Sequence, residues 1–172
     1  RSGTRSLVIA YQKEYLTKDG IINKFIDMLD FCANNTEFPR LRLTSSKQNM
    51  TWEMGYIDTN NGTRHGSKNL ILGVAAKDDI SKARGKRASD IIIEEFGSFP
   101  KLIEMYNSML PSVEDGDWVF GQMWLQGTAG DKDSDFQSAQ ELMFKPDGYN
   151  LYGVTNVYDK ENQGKKKFVL FT

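Results

Sequence analysis

Ser89–Gly97 reads SDIIIEEFG, and the fold turns on how this stretch is interpreted. Ile91, Ile92 and Ile93 form a short unbroken run of β-branched residues behind the polar Asp90. A run of that length and kind suits a strand buried on both faces of a parallel sheet. Glu94 and Glu95 follow where such a strand ends, and the carboxyl edge of a parallel sheet is where open α/β folds place their ligands. Adjacent strand residues point to opposite faces, so the two acids need not share a task. One carboxylate can hold a hydrated magnesium ion while the other orients or deprotonates an attacking water. Two acids capping a sheet edge in solvent would look the same in isolation, so the interpretation depends on the neighbouring segments.

Immediately ahead lies AKDDISKARGKRASD, a polar segment that places Arg84, Gly85, Lys86 and Arg87 just before the strand. Such a segment reads as a solvated loop or short helix with a basic end. It can also set a guanidinium at a phosphate, in its own subunit or in a neighbour's site. Behind the strand, Ser98 is a candidate helix cap and Pro100 fits a first turn. Leu102, Ile103, Tyr106 and Leu110 then mark one apolar face, and Pro111 stops the helix. VEDGDW is turn-like, and WVFGQMWLQGTAGD supplies another strand that ends on Gly127, Thr128, Ala129 and Gly130. Glycines let a backbone approach a phosphate closely and a hydroxyl can donate to it, although GTAG alone has little specificity.

Toward the N-terminus, SLVIAYQK reads as a buried strand leading into a loop near Gln12. A helix should follow from Gly20, with Ile22, Phe25, Ile26 and Leu29 as a core-facing stripe, Thr17 or Asp19 as cap and Asn34–Asn35 at its end. LRLTSS suggests a short strand. MTWEMGYID and NLILGVA then flank a polar connection and read as a hairpin or as two sheet strands with a polar loop, with Asn61-Gly62 as the turn signal. Trp52 and Tyr56 offer a stacking platform for nucleic acid or, as alternating strand residues, simply core. Beyond the GTAG turn, SDFQSAQELMFK reads as a helix capped by Ser134 or Asp135, and YNLYGVTNVYD and KKKFVLFT as strands around a polar turn. Lys165, Lys166 and Lys167 are either gatekeepers of an edge strand or phosphate contacts.

A chain of 172 residues bounds one sizeable core, so a single domain spanning 1–172 is expected. Its net charge of −1 gives no global case for nucleic-acid binding and leaves only local patches. The single cysteine, Cys32, excludes an internal disulfide and suits a reducing compartment; its apolar surroundings predict a buried structural thiol. The single histidine, His65, sits in NNGTRHGSK with no zinc partners, and no G-x-S-x-G serine hydrolase signature occurs. No apolar run is long enough for a membrane span. With no initiator methionine, and a strand almost at its start, the chain is expected to be a piece of something longer.

Taken together, ARGKRASDIIIEEFGSFPKL and QMWLQGTAG resemble the ATPase domain of the phage terminase large subunit, the motor that packages DNA into procapsids. The order of segments carries the likeness: a basic segment, a Walker B strand with paired acids, a helix, and a strand entering a coupling motif. SLVIAYQK resembles the strand that this family places after its phosphate-loop helix, so the likeness runs from Leu7 to Gly130. It implies an α/β, P-loop-NTPase-like fold of the additional-strand kind. The sheet would be predominantly parallel and flanked by helices, with an antiparallel C-terminal part. Glu94 would be the Walker B acid supporting Mg2+, Glu95 the carboxylate that activates water, and Arg84 an arginine finger acting on a neighbouring subunit's ATP. Gly127, Thr128 and Ala129 would link hydrolysis to DNA movement. ATP and Mg2+ are the implied cofactors. The implied partners are double-stranded DNA, the portal protein, the terminase small subunit and further copies in a ring on the procapsid, in the host cytoplasm with no membrane.

Two departures qualify the likeness. Walker B strands usually carry Asp where this chain has Glu94. No G-x-x-x-x-G-K-[ST] phosphate loop occurs in these residues, and in that family it would precede Arg1. The parent protein is therefore expected to be an ATPase and this piece close to inactive, with the nuclease domain of such proteins also missing. A helicase-like ATPase of the same additional-strand kind, or a non-catalytic nucleic-acid-binding or assembly module, would share some of these features.

Overall fold

A computed structural model of the chain describes residues 3–38, 43–46, 50–77, 79–127, 136–145, 147–149, 151–155 and 167–171. The first strand, β1 (Arg5–Ala10), buries Leu7 and Ile9 on one face and Val8 and Ala10 on the other. After a single 3-10 turn at Lys13–Tyr15, the chain enters α1 (Ile21–Asn35). Neither Thr17 nor Asp19 caps this helix. Gly20 holds the cap position, because a Cβ there would stand 2.3 Å from the Tyr15 carbonyl oxygen. The stripe expected to be core faces it but is seated unevenly: Ile22 is buried and Phe25, Ile26 and Leu29 are half-buried, while Met28 and Phe31, outside the stripe, are exposed. Cys32 is accordingly half-buried, not the buried thiol its apolar neighbours suggested.

Next come β2 (Leu43–Ser46) and β3 (Thr51–Met54), an antiparallel pair. Two short strands, β4 (Tyr56–Ile57) and β5 (Arg64–His65), then form the hairpin marked by Asn61-Gly62. Gly62 takes the left-handed conformation there, at φ +69°, and its N–H donates to the Asp58 carbonyl at 2.8 Å. Trp52 is 4% exposed and belongs to the core, whereas Tyr56 is exposed and stacks on His65 at 5.1 Å. Beyond the hairpin, β6 (Leu70–Ala75) pairs antiparallel with β3 and parallel with β1.

A crossover containing the 3-10 turn Ile80–Lys82 leads to β7 (Asp90–Glu94), the strand read from the isoleucine run. The segment after it begins its helix later than expected. Pro100 disfavours helical backbone at Phe99, which is extended at φ −94° and ψ 111°. Ser98 therefore lies in a separate 3-10 turn, and Lys101 takes the cap position of α2 (Leu102–Met109). A short hairpin of β8 (Glu114–Asp115) and β9 (Trp118–Val119) precedes β10 (Gln122–Gln126). Then follow α3 (Phe136–Phe144) and the antiparallel pair β11 (Leu151–Thr155) and β12 (Lys167–Phe171). Ser134, Asp135, Lys165 and Lys166 lie outside the described residues.

The main sheet has the order β10-β7-β1-β6-β3-β2. Its first four strands are parallel and the last two antiparallel. One face carries the larger core, where Leu7, Ile9, Ile91, Ile93 and Met123 meet Leu102, Met105, Tyr106 and Met109 of α2 and Leu142 of α3. Each such side chain contributes about 1.5–3 kcal/mol by leaving water. The other face carries a smaller core of Val8, Ala10, Leu16, Ile22 and Trp52 under α1. Over β7 and β10 that second face is open: Ile92 is half-buried and Trp124 is 52% exposed. The isoleucine run is thus fully buried on one face only. Among the described residues, no helix is long and apolar enough to cross a membrane.

Tyr106 ties α2 to the C-terminal part by donating its hydroxyl to the Tyr149 carbonyl. Burial, and secondarily the nearby Glu114 charge, pushes this phenol up to about 12. The folded chain then holds the phenolic proton more tightly than the unfolded chain, whose phenol titrates near 10, at about the usual value. The contribution to stability is full below about pH 10 and is lost as pH rises toward about 12. Urea unfolding at about pH 9 and about pH 11 is expected to show a loss that Tyr106→Phe largely removes. Equal losses in the two proteins would contradict this origin.

Candidate functional site at the carboxyl edge of the parallel strands

The connection leaving β1 leads to α1 on one face of the sheet, and the connection leaving β7 leads to α2 on the other. These two strands are neighbours, so their carboxyl ends flank a topological switch point, the place where open α/β sheets form a ligand crevice. Ala10 of β1 stands in register with Glu94 of β7, which in turn stands in register with Gln126 of β10. Both glutamates of the motif therefore emerge at this edge.

Their placement is not simple strand alternation. Glu94 is the last strand residue, while Glu95 takes the left-handed conformation at φ 51° and ψ 49° and begins a tight turn. The Ser98 N–H closes that turn on the Glu95 carbonyl at 2.9 Å. Holding a glutamate in this region costs about 1–3 kcal/mol, and backbone strain of this kind concentrates at functional sites.

The tip of β10 locks against this turn. Gly127 has φ +143°, and a Cβ on it would lie 2.6 Å from the Glu95 Cα and 3.0 Å from the Glu95 and Phe96 nitrogens. Glycine is required here by both the dihedral angle and the backbone contact. Thr128 and Ala129, the other two residues expected in the small-residue turn, lie outside the described residues.

Arg84 occupies a different setting. It is exposed on the crossover from β6 to β7, its N–H donating to the Ser81 carbonyl at 3.1 Å, while the preceding Ala83 is buried as an anchor. Lower in the same turn, the Ser81 hydroxyl donates to Asp79 and holds its carboxyl below the usual range. The structure thus brings Glu94, Glu95 and Gly127 together and leaves Arg84 facing solvent.

One member of the site was not identified from the sequence. Gln126 donates from Nε2 to Glu94 Oε2 at 2.6 Å. Four residues earlier, Gln122 donates from Nε2 to Asp90 Oδ1 at 2.7 Å, so β7 and β10 carry two matched amide–carboxylate rungs on the open face, with Ile92 and Trp124 between them. The signal was the shared spacing, Asp90 to Glu94 and Gln122 to Gln126, which acquires meaning only once the strands are known to pair.

Among the described residues, no three His, Cys, Asp or Glu side chains gather to hold a metal ion unaided. Mg2+ ordinarily takes one or two protein carboxylates and completes its shell with waters and substrate phosphates. Glu94, with Oε2 bonded to Gln126, matches the protein's share of such a shell. When bound, the ion would supply charge stabilisation for phosphoryl transfer.

No protein-family model matches the chain, and no curated protein matches it in sequence. Its fold is shared with solved structures. The large terminase ATPase domain of Thermus phage P74-26 superposes with a TM-score of 0.57 at 15% identity, over 96% of this chain and 60% of that one. A point mutant of the same domain gives a TM-score of 0.58 at 16% identity, with the same coverage. At these identities the likeness is one of fold. The chain spans 60% of the length of those solved chains.

Proposed function

We propose, from this shared ATPase fold, that the chain is part of a phage DNA-packaging motor in which ATP hydrolysis drives double-stranded DNA into a procapsid. The observation that carries the reading is the meeting of Glu94, Glu95 and Gly127 at the carboxyl ends of β7 and β10, beside the β1/β7 switch point. In this reading Glu94 holds Mg2+, and Glu95 orients the attacking water and accepts its proton. Gly127, with Thr128 and Ala129, transmits the state of the site to the segments that follow β10. The exposed Arg84 reaches the phosphates bound by a neighbouring copy in a ring, where a guanidinium stabilises the charge of the transferring phosphoryl group.

The cradle for the ATP phosphates comes from a phosphate loop ahead of β1. β10 has no partner strand on its outer edge among the described residues, and Trp124 on the open face is exposed, so the strand and helix of that loop would dock there. Duplex DNA, the portal protein and the terminase small subunit are the partners, and the host cytoplasm is the setting.

The reading is tested by comparing this chain with a polypeptide that carries the phosphate loop ahead of it. Steady-state ATP hydrolysis is expected only in the longer protein and is expected to rise when duplex DNA is added. Mixing Arg84→Ala with Glu95→Gln subunits should then recover part of the activity that each lacks alone. Hydrolysis indifferent to DNA would contradict the motor, and no recovery at any mixing ratio would remove Arg84 from the neighbouring site.

A further inference from the structure

We infer that Gln126 is a positioning residue for the metal-binding carboxylate, an inference that rests on the ATPase reading above. Glu94 stands at the free end of its strand, where a side chain with several rotatable bonds has little to fix it. The Gln126 amide supplies the restraint, bonding Oε2 at 2.6 Å from a backbone position held in register by the β7–β10 ladder. One carboxylate oxygen is thereby committed to the amide and Oε1 remains for a hard cation. Partners that orient a metal-binding carboxylate tune affinity strongly, although they never touch the ion.

The following residue makes the arrangement more than a local hydrogen bond. Gly127 is wedged against the backbone of Glu95, so consecutive residues at the tip of β10 bear on both acids. A displacement of that tip would alter the orientation of Glu94 and the seat of Glu95 together.

The second rung is a built-in control. Gln122 and Asp90 make the same bond between the same strands, at the end away from the crevice. Gln122→Ala and Gln126→Ala therefore delete the same chemistry and carry similar structural costs, but only the second touches the proposed site. The test uses the polypeptide with the phosphate loop and follows Mn2+ binding by electron paramagnetic resonance with a non-hydrolysable ATP analogue, alongside the Mg2+ dependence of hydrolysis.

Gln126→Ala is expected to weaken Mn2+ binding by about 10-fold or more. The Mg2+ concentration for half-maximal hydrolysis should rise in parallel, with Gln122→Ala matching the parent. Glu94→Ala separates the two levels of the account. If Glu94→Ala weakens Mn2+ binding and Gln126→Ala does not, or if the two glutamine variants weaken it equally, the positioning role is wrong while the metal site stands. If Glu94→Ala binds Mn2+ like the parent, the metal assignment fails and the inference falls with it.

Discussion

Replacing Glu95 by Gln in a polypeptide that carries the phosphate loop is expected to lower ATP turnover by about 10²- to 10⁴-fold, the usual contribution of a positioned general base. The change keeps the size of the side chain and removes its ability to accept a proton. It also leaves untouched the left-handed turn that presents the residue and the contact of that turn with Gly127. ATP should therefore still bind, with an affinity near that of the parent, and accumulate unhydrolysed. Stopped-flow nucleotide binding beside a phosphate-release assay separates the two effects. Loss of binding together with turnover would mark Glu95 as a structural residue, and turnover near the parent level would remove it from the chemistry.

Gly127→Ala should be the most damaging single methyl group at the site. The new Cβ would stand 2.6 Å from the Glu95 Cα, on a backbone whose φ of +143° already excludes ordinary side chains. Strain and overpacking together cost about 2–5 kcal/mol. For a chain of this size that lowers the melting temperature by roughly 5–15 °C. Gly116→Ala provides the comparison, since Gly116 has φ +59° and nothing lies within 4 Å of the place its methyl group would take. It should cost only about 1–2 kcal/mol, the penalty of the left-handed conformation alone. Similar melting points for the two variants would mean that the tip of β10 does not press on Glu95.

The central strand was legible because three consecutive β-branched residues bounded by polar ones leave few alternatives, and the structure pairs that strand in parallel on both sides. The limits of α1 followed from periodicity and the Asn34–Asn35 stop, but its burial did not. A stripe identifies which side of a helix is apolar, whereas the extent of cover depends on how far the neighbouring sheet reaches, and α1 seats only Ile22 fully. At Gly20 the sequence offered better capping side chains nearby, and the close approach of the Tyr15 carbonyl outweighed them.

The site shows the same division. Glu94 and Glu95 were visible as a pair at a strand end. The left-handed turn at Glu95 was not, because a non-glycine residue rarely adopts positive φ and nothing local marks glutamate for it. Gln126 was not visible at all, since its meaning comes from a register between strands separated by a whole helix. Local composition thus identified the acids, and long-range pairing supplied the residue that orients one of them.

The most direct test is a crystal structure of the Glu95→Gln polypeptide, phosphate loop included, with ATP and Mg2+. The γ-phosphate is expected at the carboxyl ends of β7 and β10, with the ion beside Glu94 and the amide of residue 95 facing the attacking water. A nucleotide seated at the opposite edge, near Ser89 and Gly121, would contradict this placement.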